Sequence, residues 1–166
     1  MAAKRGRAWT FPANVSTDLI FPGRYVEFLS DHAKLRSITL CDAREEFAPN
    51  VKPGDFVVAD DNFGMGSSRE QAALMMKLCG LSAVVAKSFA RIFFRNCINV
   101  GVPAIELDTS DIQDGDELEV QLEAGRLINH TRGRTYEFPP LPSVMTRILE
   151  DGGLVAHIKK HGDFVV

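Results

Sequence analysis

Cysteine is scarce in this chain: Cys41, Cys79 and Cys97 are its only three in 166 residues. They form no Cys-x-x-Cys pair and have no histidines at zinc-like spacing, which excludes a zinc module or a disulfide framework. Cys79 and Cys97 lie at the ends of apolar helical runs, where a free thiol is usually a small core residue. All three read as reduced and none as a metal ligand, so a metal taking part in the chemistry would come from another chain. Long apolar runs are also missing, and none is long enough to span a bilayer. Lys4, Arg5 and Arg7 are basic, but no secretory apolar core follows them. The expected location is the cytoplasm. A net charge of -3 offers no broad basic face, so neither nucleic acid nor membrane is an expected partner, and any anion site must be local. Internal repeats and low-complexity tracts are absent as well.

What remains is an ordinary soluble composition and enough length for one domain with a proper core. The rest of the chain is organised around Asp60-Asp61-Asn62-Phe63-Gly64-Met65-Gly66-Ser67-Ser68-Arg69-Glu70-Gln71. A strand-like run, residues 55–59, leads into this stretch, and an apolar helical run, residues 71–79, follows it. Strand, glycine loop and helix start form a physical recipe for holding an anion. The first amides of a helix lack intrahelical partners, and its dipole is positive there. Gly64 and Gly66 let a ligand approach the backbone, and Arg69 offers a planar fork for a carboxylate or phosphate. The same residues also fit a plain capped helix, with Ser67 or Ser68 as N-cap and Glu70 in the first turn. On residues alone the two readings are evenly matched.

Along the chain, residues 6–11 read as a first strand. In the following turn-rich segment Thr17 and Asp18 fit a capping pair, or, with Arg24, a second polar element of a pocket. From 26 to 50 the apolar residues keep no steady period, which predicts weak helix plus loop; such a segment is usually functional or mobile. His32 is expected at the surface. Residues 82–86 predict a buried strand, and residues 89–99 a second helix capped by Ser88. Another strand is expected at 104–107. This rhythm implies parallel pairing. Beyond it, residues 117–122 alternate with period two, and 126–129 and 135–138 add antiparallel strands. Helices at 143–150 and 154–160 close the chain. The fold class is α/β, with a mixed sheet, flanking helices and a β-rich half, in a single domain over 1–166.

Three stretches carry a resemblance. Phe63-Gly64-Met65-Gly66-Ser67-Ser68-Arg69-Glu70-Gln71-Ala72-Ala73 resembles the signature of the aconitase-superfamily swivelling domain. Lys87-Ser88-Phe89-Ala90-Arg91-Ile92-Phe93, with Asn96 and Asn99, resembles the next helix of that family. Ser16-Thr17-Asp18-Leu19-Ile20-Phe21-Pro22-Gly23-Arg24-Tyr25 is similar to the Thr-Asp-x-Ile-x-Pro-x-Arg-Tyr stretch of its stand-alone small subunits. Order and spacing agree over roughly residues 6 to 160, and the size is that of the short form of the 3-isopropylmalate dehydratase small subunit.

The resemblance implies a swivelling β/β/α lid that docks on a large subunit, as a heterodimer or heterotetramer. The large subunit would hold a [4Fe–4S] cluster through its own cysteines, leaving no cofactor in this chain. The implied reaction is reversible dehydration of a small dicarboxylate of the malate type. By the same resemblance Ser67 is the proton-abstracting base and Asp18 joins the acid/base network. Ser68 and Arg69 hold a substrate carboxylate, and Thr17 and Arg24 are further substrate-binding residues. Substrate choice is implied to lie just after the Arg-Tyr pair, in Val26, Glu27, Phe28 and Leu29. An arginine at the place of Glu27 goes with an extra carboxylate. Glu27 would repel one and its apolar neighbours favour an alkyl group, unless Glu27 points to solvent. Isopropylmalate or another alkyl-substituted malate is therefore expected ahead of citrate or homocitrate, with dimethylmalate or homoaconitate as alternatives. A non-catalytic anion-binding module is the alternative of another class, although the loop lacks both the P-loop ending and the dinucleotide glycine pattern. The segment 26–50 is expected to be mobile without the partner, and the isolated chain can self-associate.

Overall fold

A computed structural model describes residues 4–164. In chain order it contains β1 (Lys4–Phe11), α1 (Thr17–Ile20), a 3-10 segment (Gly23–Phe28), α2 (His32–Ser37), α3 (Phe47–Asn50), β2 (Phe56–Ala59) and α4 (Glu70–Leu78). Then come β3 (Ala83–Ala86), α5 (Arg91–Val100), β4 (Ala104–Glu106), β5 (Glu117–Gln121), β6 (Arg126–Asn129), β7 (Arg134–Glu137), α6 (Ser143–Glu150) and α7 (Leu154–His161). Among the described residues no helix is long and apolar enough to cross a membrane.

The strands form one sheet in the order β4-β3-β2-β1-β5-β6-β7. The half β1 to β4 is parallel and the half β5 to β7 antiparallel. β1 joins them by dividing its length: Lys4 to Arg7 pair with β5, and Ala8 to Phe11 with β2. Gly6 sits at this division because a β-carbon there would lie 2.1 Å from the carbonyl oxygen of Gly54. Asp55 fixes the same junction. Its buried carboxylate accepts from the amides of Arg7 (3.0 Å) and Lys52 (2.9 Å) and from the Trp9 indole (2.9 Å).

Parallel strands are usually covered on both faces, and these are. Trp9, Phe11, Val57, Ala59, Val84 and Ala86 meet Ala72, Ala73 and Met76 of α4 and Phe93 and Cys97 of α5. On the opposite face Phe56, Val58, Ala83, Val85 and Ile105 pack with Leu118, Val120 and Leu127 and with Ile148 and Leu149 of α6. In β5 the apolar Leu118 and Val120 are buried while Glu117 is exposed, the alternation of a one-sided strand.

Two local expectations are corrected. α4 begins at Glu70 with Arg69 as its cap residue, and neither Ser67 nor Ser68 caps it. α5 begins at Arg91, and Ser88 does not cap it; the Ser88 hydroxyl accepts instead from the Asn62 amide (2.8 Å), tying the glycine loop to the end of β3. Residues 26–50 hold two short helices among turns, the expected weak helix plus loop: α2 supplies the buried Leu35, and α3 the buried Phe47 and Ala48. Leu35 and Ile38 pack with Phe21 and Met75 in a small cluster, whereas Leu40 and Phe47 reach the main core. Facing two different clusters is what erases a steady period from the sequence. His32 is exposed, as expected.

Candidate functional site

The glycine loop leaves the C-terminal end of β2 and is rooted in the core by Phe63, which is fully buried. Its ring meets Phe93 edge-on at 5.3 Å and Phe89 at 6.3 Å. Gly64 has φ +79°, and a β-carbon on it would fall 2.2 Å from the Phe93 ring. The backbone there lies directly on an aromatic face, which only glycine permits.

Residues 14–18 are stitched to this loop. The Gly64 amide donates to the Val15 carbonyl and the Thr17 amide to the Met65 carbonyl, each at 2.8 Å. Those bonds bring together side chains fifty positions apart. The buried Thr17 hydroxyl donates to the Ser67 carbonyl at 3.0 Å and lies 3.2 Å from the Ser67 hydroxyl. Ser67 itself is exposed, as is Ser68 beside it. The Arg69 Nη1 group donates to the Phe21 carbonyl (2.9 Å) and pairs with Asp18 (2.8 Å). Its guanidinium carbon lies 5.9 Å from the centre of the Phe21 ring, and among the described residues no further hydrogen bond engages the guanidinium. No side chain caps α4 either; the Ala72 amide turns back to the Arg69 carbonyl (3.1 Å), which leaves the Glu70 and Gln71 amides of the first turn to face an anion.

Arg69 lines a cleft of about 290 Å³ together with Phe21, Gly23, Val26, Leu29 and Gln71. Ser67, Thr17, Asp18 and Arg69 thus form one constellation beside an apolar wall. Arg24 is not part of it: its guanidinium grips Asp42 with two bonds of 2.6 and 2.5 Å. Glu27 is exposed and does not line the cleft; Phe28 is half-buried with the Lys34 ammonium 5.4 Å above its ring. Sequence reasoning missed four residues. Phe21 and Gly23 stand inside the quoted Thr-Asp to Arg-Tyr stretch, and Gln71 falls in the first turn of α4, so position was a usable signal for all three. Asp42 carried none, because its partner lies 18 positions away.

The cysteines do not fit an iron–sulfur site. Cys79 and Cys97 are buried in the core, and that burial pushes both thiols up, away from the thiolate a cluster needs. Among the described residues, one set of three groups could approach a metal: Asp151, His157 and His161. It sits where α6 meets α7, and the Lys160 ammonium already holds the same carboxylate at 2.6 Å, so it reads as a hydrogen-bonded clamp on α7.

A parallel sheet with a glycine loop at a strand end and an arginine behind it defines a class, and residues 37–110 match the aconitase C-terminal domain. A 3-isopropylmalate dehydratase small subunit of Archaeoglobus fulgidus is 52% identical, over 97% of this chain and 98% of its own. A methanogen homoaconitase small subunit of Methanothermobacter thermautotrophicus is 49% identical, over 94% of this chain and 91% of its own. A solved 3-isopropylmalate dehydratase structure from Methanocaldococcus jannaschii has a TM-score of 0.92 at 42% identity, covering 97% of this chain and 96% of that one. The chain belongs to the family of 3-isopropylmalate dehydratase small subunits. It is the small subunit of a hydro-lyase.

Proposed function

We propose that the chain, with a large iron–sulfur subunit, interconverts 2-isopropylmalate and 3-isopropylmalate by dehydration and rehydration. The observation that carries this reading is the pairing of one cleft-lining arginine with an apolar wall. Arg69 can grip a carboxylate, while Phe21, Val26 and Leu29 suit a branched alkyl group. Arg69 is the one charged residue among the described residues lining the cleft. A homoaconitate-type substrate would bring a third carboxylate with no further cation to receive it.

Ser67, having first lost its hydroxyl proton to solvent, takes the proton alpha to the substrate carboxylate onto its Oγ as the alkoxide. A serine hydroxyl is a weak base unless its anion is stabilised. Thr17 has one hydroxyl proton, now donated to the Ser67 carbonyl, and the Ser67 Oγ stands only 3.2 Å from the same oxygen. A small rotation lets Thr17 donate to the alkoxide instead. Asp18 and the Phe21 carbonyl fix the pose of Arg69, and Ser68 adds a second hydroxyl toward the bound carboxylate. Lewis-acid assistance to the departing hydroxyl is the chemistry that a cluster on the large subunit would supply. The exposure of Ser67 supports a partner, since a base standing in water gains little from nearby dipoles until a second surface excludes that water.

The test is reconstitution with a large subunit, assayed on a panel of malates. The expected outcome is no turnover by either chain alone and a highest kcat/KM on isopropylmalate for the pair. A pair that prefers homocitrate, or a chain that binds nucleotide tightly by itself, would overturn the proposal.

A further inference from the structure

We propose that Asp42 is a positioning residue for substrate selection: it anchors Arg24, and through Arg24 the wall formed by Val26 and Leu29. This rests on the functional reading above.

The segment that carries this wall has little else to hold it. None of the residues of Gly23–Phe28 is buried, and its helical course breaks at Tyr25. Val26 and Leu29, 58% and 38% exposed, line the cleft without filling a core. Apart from the half-buried Tyr25, which packs against the small cluster of Phe21, Leu35, Ile38 and Met75, its contacts are local: the Tyr25 amide reaches the Pro22 carbonyl, and the Tyr25 and Phe28 rings lean together at 6.4 Å. Lys34 lies over both rings, but at 5.5 and 5.4 Å. Such loose cation–ring contacts at the surface are weak.

The strong bond from this segment to the body of the domain is the two-pronged grip of Arg24 on Asp42. A bidentate guanidinium–carboxylate pair fixes direction as well as distance. Arg24 also stacks over the Tyr25 ring at 4.6 Å, which stiffens its stem. Asp42 stands on firm ground. Two residues before it, Leu40 is fully buried, with φ +57°, and its amide bonds to the Ile20 carbonyl at 3.1 Å. The Arg44 amide then returns to the Leu40 carbonyl at 2.8 Å, closing the turn that presents Asp42. The pair therefore connects a core-rooted turn to a surface segment, and the apolar wall hangs from that connection.

The experiment uses the reconstituted pair carrying Asp42→Asn, which keeps the shape and removes the charge. The KM for isopropylmalate should rise about fivefold, the scale of one well-formed surface ion pair, with kcat within about twofold. The KM for a malate without an alkyl branch should stay unchanged. The reversed pair, Arg24→Asp with Asp42→Arg, should recover most of the loss caused by Arg24→Asp alone. If Arg24 met the substrate directly, the reversed pair would recover nothing, and that result overturns the proposal. So would an equal KM rise for both substrates. Amide exchange in the full chain provides a readout independent of turnover: Asp42→Asn should speed exchange at residues 23–29 and spare residues 60–69. Unchanged exchange at 23–29 overturns the latch even if wild-type activity is as expected. A wild-type pair inactive on every malate overturns the functional reading, and the selection claim with it, whatever the exchange rates show.

Discussion

The two walls of the cleft are built in opposite ways. The Arg69 side, with Ser67 beside it but outside the cleft lining, continues from a buried strand, lies on the Phe93 ring, and is sewn to residues 15–17 by backbone bonds. The Val26 and Leu29 side has no fully buried residue and depends on the half-buried Tyr25 and on side-chain pairing. Chemistry needs reacting groups held within a few tenths of an ångström, and a core-rooted loop provides this. Selection among alkyl groups is worth only a few kcal/mol in any pocket, and a lightly held wall can be altered without risk to the fold. Under the proposed function, rate belongs to the first wall and substrate choice to the second.

The sharpest way to break that assignment is Gly64→Ala. A methyl group would overlap the Phe93 ring in a left-handed backbone conformation, which should cost about 3 kcal/mol or more in urea unfolding. A loss below about 0.5 kcal/mol would mean the loop is not rooted on the Phe93 ring. Arg69→Lys comes next. An ammonium cannot reproduce a fork that holds Asp18 and the Phe21 carbonyl while facing the cleft, so KM should rise about tenfold for every malate alike. A rise confined to branched substrates would move Arg69 to the selecting wall.

Val26→Ala should do the reverse. With Val26 58% exposed, stability should change by less than about 0.5 kcal/mol, while KM for isopropylmalate rises about threefold and KM for unbranched malates stays put. The smallest effect concerns pH. The Arg24 guanidinium, donating to Asp42, holds that carboxyl below its ordinary 3.8. A depressed carboxyl keeps its pairing at all pH above the unfolded value and loses it as pH falls through the folded one. Protection of residues 23–29, corrected for intrinsic exchange, should therefore stay flat from about pH 8 to about pH 5 and fall only in stronger acid. Loss near neutrality would point to another titrating group.

The contrast also explains what could be read from the residues. Apolar runs such as residues 56–59 and 83–86 are unbroken because both sheet faces are covered, so the parallel half was legible. The period-two pattern of β5 marked the antiparallel half for the same reason of burial. Thr17, Asp18, Ser67 and Arg69 were legible as site candidates, but their meeting was not a local property: it depends on backbone bonds across the interval from 15 to 65. Ser67 and Ser88 misled because a serine before a helix looks like a cap wherever its hydroxyl goes; one approaches Thr17, the other accepts from Asn62. Arg24 offered a free cation in the sequence, and only the fold supplied Asp42 to occupy it.

The most direct test of the account follows one proton. The reconstituted pair carrying Ser67→Ala should bind its large subunit and isopropylmalate as wild type does. Its exchange of the substrate's alpha hydrogen with deuterated water should fall by about a thousandfold or more. Wild-type exchange in that variant would contradict the assignment of the base to residue 67.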